Sequence, residues 1–87
     1  MERGVWVATL VVSDATKQKI INSHHIEPNE VEAAVVCVAG LQGRWHDHPE
    51  RGRRLIVETR IRGKRVLVVL YPTEGADRFH LGSAYFI

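Results

Sequence analysis

The stretch from Arg53 to Tyr71 constrains this chain more than any other. It reads R-R-L-I-V-E-T-R-I-R-G-K-R-V-L-V-V-L-Y, two runs of strand-forming residues joined at Arg62-Gly63. Leu55 to Ile61 alternates and carries Val, Ile and Thr, as a half-buried strand does. Lys64 to Tyr71 is almost wholly apolar, the pattern of an interior strand covered on both faces. Gly63 supplies the positive φ that a tight two-residue turn needs. With that turn, Ile61 pairs with Lys64, Arg60 with Arg65, Thr59 with Val66, and Glu58 with Leu67. Side chains alternate across a strand, so this register sorts the hairpin into two faces. Leu55, Val57, Thr59, Val66, Val68 and Leu70 make a core face. Arg54, Ile56, Glu58, Arg60, Arg65, Leu67, Val69 and Tyr71 make a mixed face that sets two arginines directly opposite each other. Like charges so placed destabilise a sheet. A phosphate gripped by paired guanidinium groups would relieve them; so would Glu58, with both arginines fanned into water.

A chain of 87 residues makes one small domain, residues 1–87, with a modest but sufficient core. The single cysteine, Cys37, cannot form an internal disulfide, and its apolar helical surroundings read as those of a small buried hydrophobe. No charge-free run approaches membrane-spanning length. Val5 to Val12 is apolar but contains Trp6 and Thr9, and it reads as a strand rather than a signal peptide. A cytoplasmic protein without membrane contact is the expectation. The net charge is only +2, yet residues 41–65 hold 8 basic and 3 acidic side chains. A basic centre on a nearly neutral chain points to a localised anionic partner: RNA, DNA or an acidic protein.

The remaining elements follow in order. Gly4 to Val12 is a strand with both faces against protein. Ser13-Asp14 starts a short, polar helix that runs to about His24. His24 and His25 at its end read as caps or surface groups. Pro28 opens a second helix, with Glu27 as N-cap and Glu30 three residues on. Val31, Ala34, Val35 and Val38 form its apolar stripe, Gly40 ends it, and it should lie on the core face of the hairpin. Leu41 to Gly52, punctuated by Gly43, Pro49 and Gly52, reads as a loop or short irregular strand. His46 and His48 resemble a metal half-site, but no further ligands follow at a recognisable spacing, and no metal or other cofactor is expected. Arg78 to Phe86 is the last strand. Strict alternation puts Phe79, Leu81, Ser83 and Tyr85 on one side and Arg78, His80, Gly82, Ala84 and Phe86 on the other. With Phe79 and Leu81 inward, Arg78 and His80 join Arg60 and Arg65 on the mixed face. The fold class is α+β: two helices packed on one face of a twisted, mainly antiparallel sheet of about four strands.

Three short motifs carry a resemblance. H-x-I-x-P-x-E-V from His24 to Val31, V-V-L-Y-P ending at Pro72, and D-R-x-H-x-x-S-A from Asp77 to Ala84 resemble the BrnT-type small toxins of the RelE/ParE-like superfamily. The similarity spans roughly residues 20–85. It implies a RelE-like sheet with helices on one side and a toxin–antitoxin role. It also implies metal-independent RNA cleavage, in some branches only within the ribosome, and neutralisation by a cognate antitoxin protein. The ParE branch implies gyrase as target instead. Related sequences often read D-R-x-R-x-x-S-A-R in the last strand. Arg78 matches the first arginine, whereas His80 and Tyr85 stand at the second and third.

Metal-free RNA cleavage needs a base for the 2′-hydroxyl, an acid for the leaving oxygen, and cations for the phosphate. His80 is the acid/base candidate, because its ordinary pKa lies near neutrality. Arg60, Arg65 and Arg78 are candidates to hold the phosphate, and Tyr85 to stack on a base or serve as a weak acid. Arg54, Lys64, Trp45, His46 and Tyr71 are candidates to contact RNA. The rival reading is a binding module or degenerate toxin homologue whose basic face holds an acidic protein or a second copy in a homodimer.

Overall fold

The structure is a computed structural model that describes residues 3–87. Among the described residues eight elements follow one another: β1 (Arg3–Gly4), β2 (Thr9–Val11), α1 (Asp14–His24), α2 (Pro28–Val35), β3 (Gln42–His48), β4 (Gly52–Ile61), β5 (Lys64–Pro72) and β6 (Arg78–Phe86). The class is α+β. The sheet has six strands rather than about four, in the order β1-β3-β4-β5-β6-β2. It is antiparallel except where β2 runs parallel to β6.

Both helices have side-chain reasons for their ends. Ser13 Oγ accepts the Thr16 N–H at 3.2 Å and caps α1. His25, in the left-handed region, closes it, and the Ile26 N–H reaches back to Ile20 O at 3.1 Å. In α2, Pro28 sits in the first turn, where its missing N–H costs nothing, and the Glu30 carboxylate accepts the Glu27 N–H at 3.0 Å. This helix stops at Val35, short of the Val38–Gly40 end expected from the apolar stripe. Val36 turns extended and bridges Val7, and Cys37, with φ 55°, donates its N–H to Val7 O at 2.7 Å. A β-branched pair beside an unpaired stretch of backbone prefers that bridge to another helical turn. Cys37 is therefore exposed, not buried.

One apolar cluster joins Ile20, Ile26, Val31 and Val35 to Leu55, Val57, Val66, Val68 and Leu70. Both helices thus cover the same sheet face. The hairpin register is the one that the Arg62-Gly63 turn dictates, with Arg60 opposite Arg65, and both turn residues have positive φ.

The Gly4–Val12 segment is not one strand. Its start pairs with β3 at one edge of the sheet, and Thr9–Val11 pairs with β6 at the other. Between them Val7 is fully buried in the core, while Trp6 is 45% exposed. The five steps from Gly4 to Thr9 reach at most about 18 Å. Six flat strands would set their outer members about 24 Å apart. The sheet must therefore curl around the core, concave on the helix side. The contact between Trp45 on β3 and Phe79 on β6, with ring centroids 6.4 Å apart, spans that concavity.

Candidate nucleic-acid interface

No element among the described residues covers the convex face. Pairing sorts its side chains into rows. Arg60 and Arg65 make the first, at the hairpin tip. Gln42, Glu58, Leu67 and Tyr85 make the second; Arg44, Ile56, Val69 and Ser83 the third. His46, Arg54, Tyr71 and His80 make the fourth, one from each of four neighbouring strands.

Leu41–Gly52 holds a regular strand where a loop or irregular piece was expected, and this strand supplies Arg44, His46 and His48. Its alternation was legible in R-W-H-D-H, but neither side of that run is apolar enough to announce a strand. Trp45 faces the concave side, against Phe79 and beneath the Arg53 guanidinium at 4.1 Å. Lys64 also turns from the convex face, its ammonium 5.7 Å from the Phe86 ring.

Strict alternation fails in β6. The register shifts opposite Val69 and Leu70, so that Ser83 faces Val69 and Leu81 faces Leu70, with Gly82 as the extra residue. Beyond this bulge the faces exchange. Ala84 is buried in the core and Phe86 packs against it, whereas Ser83 and Tyr85 join the convex side. The bulge thus gives Tyr85 the face of Arg78 and His80. Its ring leans on His24, with centroids 5.8 Å apart.

The fourth row is the best-connected polar group. Arg54 Nε donates to His46 Nδ1 at 3.1 Å. His48, on the same strand, accepts the Glu50 and Arg51 N–H groups on its Nδ1, each at 3.1 Å, and so shapes the turn that carries Arg51. Its pKa stands below the ordinary value, through partial burial first and then the positive charges of Arg54 and Arg51 and the neighbouring His46. The guanidinium groups of Arg54 and Arg51 lie close to the Tyr71 hydroxyl. Burial pushes this phenol up, but the two guanidinium groups outweigh it and hold the pKa below its usual value. The Tyr71 ring lies over Gly82, where a Cβ would collide with it. Arg51 and Gly82 were not singled out in the sequence, and His48 only with His46 as a metal half-site. The H-P-E-R-G turn after a strand was the signal for Arg51 and for the part His48 plays in that turn.

Arg60 and Arg65 share the face but not the place. Six residue steps of β5 separate Arg65 from Tyr71, about 20 Å of strand. Arg65 is paired with Glu58 at 2.7 Å, and Arg60 donates to Gly63 O at 3.2 Å. The opposed arginines are thus relieved internally. Arg78 continues β6 beyond His80, its stem against Gly75.

Among the described residues no three His, Cys, Asp or Glu side chains gather as a metal site would require, and no helix is long and apolar enough to cross a membrane. No protein-family model, no curated protein and no solved structure matches this chain.

Proposed function

We propose that this chain is the toxin component of a toxin–antitoxin pair, and that its convex face binds and cleaves single-stranded RNA without a metal. The observation that carries the reading is the row His46–Arg54–Tyr71–His80, with the positive charge of Arg51 beside it. Guanidinium groups, a phenol of lowered pKa and a histidine are the parts that transesterification of a phosphodiester needs. Arg54 and Arg51 hold the phosphate. His80 takes the proton of the 2′-hydroxyl, whose oxygen attacks phosphorus. Tyr71 gives its proton to the departing 5′-oxygen. The products are a 2′,3′-cyclic phosphate and a free 5′-hydroxyl, and water returns the protons. The exposed Arg44 and Arg78 extend the positive rim along which the strand lies, and Tyr85 offers a ring for a base. Arg60 and Arg65, about two-thirds of the face away, belong to the binding surface rather than the reacting centre. A cognate antitoxin protein is the expected partner.

A binding-only reading draws on a different observation. The face is convex and open, and it provides no water-excluding walls around the row. The two readings separate in one assay. Purified chain is incubated with end-labelled single-stranded RNA in the presence of EDTA. The cleavage reading expects fragments ending in cyclic phosphate, formed at least about 100-fold more slowly by Tyr71→Phe and by His80→Ala, the usual contribution of one acid or base. Binding without fragments retains the interface and removes the enzyme. Absence of binding removes both. Induced expression in bacteria checks the biological role: growth arrest with broken messenger RNA is expected, and healthy growth refutes the toxin assignment.

A further inference from the structure

A second surface lies around the sheet edge from the row. β3 begins at Gln42, which pairs with Glu58, so the last residues of β4 have no strand beside them. The register fixes where their backbone points. Ile61 and Lys64 flank a two-residue turn and bond to each other, so Arg60 and Arg65 form the next, non-bonded pair. Consistently, Arg65 O accepts the Ile87 N–H at 3.1 Å, on the side away from β4. The Arg60 N–H and C=O must then point outward, toward the position that a residue before Leu41 would fill. The chain does not fill it, because it turns away at Gly40 with φ 79°. What lies there instead is a groove of about 420 Å³ between Ala33 and Ala34 of α2 and Thr59 and Arg60 of β4. It continues past Arg60 into a second of about 280 Å³ that reaches Arg62.

We propose that this groove accepts an extended segment of a partner polypeptide, which adds to β4 at Arg60 and carries acidic side chains. The open rung supplies two backbone hydrogen bonds, as strand addition at a sheet edge requires. The small side chains of Ala33 and Ala34 leave room for the alternate apolar residues of such a segment. Charge selects its sign. Arg62 is satisfied by Glu30 at 2.9 Å and by His25 O, and Glu58 by Arg65, which leaves Arg60 as the cation at the groove without a carboxylate partner among the described residues. Nothing in this surface depends on the RNA reading.

The test is a nuclear magnetic resonance titration of the full chain with a short synthetic peptide of alternating valine and aspartate. A peptide with lysine for aspartate serves as the control. In the free chain the Arg60 amide should exchange with solvent faster than those of Thr59 and Ile61. On adding the acidic peptide, that exchange should slow, and the Ala33, Ala34 and Gln42 signals should shift. Ala33→Glu, at an exposed helix position, should keep the fold and weaken binding at least about ten-fold, as like charges across an interface do. The proposal is overturned by no binding, by equal binding of the lysine peptide, by shifts confined to the Tyr71–His80 end, or by an Arg60 amide already protected in the free chain.

Discussion

A Cβ at position 82 would overlap Tyr71 Cε2 and lie 3.3 Å from Val69 O. The strand carbonyl is fixed, so the tyrosine ring must move. Gly82→Ala should therefore fold with a loss of about 1–3 kcal/mol, typical of overpacking, and should lose the proposed RNA cleavage along with the Tyr71 position. Denaturant unfolding and the cleavage assay, run side by side, check both halves. His48 acts through the backbone of its turn. It accepts two N–H groups on a neutral ring nitrogen, and its pKa is lowered by burial and by the neighbouring arginines. A histidine depressed in the fold contributes stability that is complete above its ordinary pKa of about 6.5 and is lost as pH falls through the lower folded value. His48→Asn keeps an acceptor at the same place and cannot titrate. It should show a smaller fall in melting temperature between neutral and mildly acidic pH than the parent chain. An equal fall would remove His48 from the account of acid sensitivity.

The elements differ in how openly the sequence announces them. The central hairpin was legible to the residue, because a two-residue turn leaves its strands only one register and the apolar set confirms it. Ser13 and Pro28 marked the helix starts for equally local reasons. The end of α2 was not legible, since what stops it is Val7, a residue distant in sequence that claims Val36 and Cys37. Nor was the exchange of faces in β6, because a bulge leaves no mark beyond one glycine. That glycine is also why Arg54, Tyr71 and His80 were legible as parts of one face while Tyr85 was read onto the wrong one. α1 reads as a polar surface helix, yet Ile20 is wholly buried, and Lys19 reaches Gly82 O at 2.8 Å. Ile20→Ala should cost about 2–5 kcal/mol in chemical denaturation, as a truncation in a close-packed core does. A loss within experimental error would mean that α1 is not anchored to β6 through this side chain.

At the scale of the molecule, the sheet presents two unlike surfaces. The concave side is filled by aliphatic side chains from both helices and four strands. The convex side keeps its charges in water and divides them by distance: an arginine pair at the hairpin tip, of which Glu58 neutralises Arg65, and the row around Tyr71 at the other end. Composition alone located the positive charge in residues 41–65 but not this division, which arises from pairing between strands far apart in sequence. The segment from Gly4 to Thr9 works as a bowstring. It is too short to let the six-stranded bow lie flat, so its length sets how tightly the backbone bends and how widely the outer side chains fan. Each residue spliced into it would slacken the bow, draw the indole of Trp45 away from the ring it now meets across the hollow, and bring the outward-fanned groups at the far end nearer to parallel.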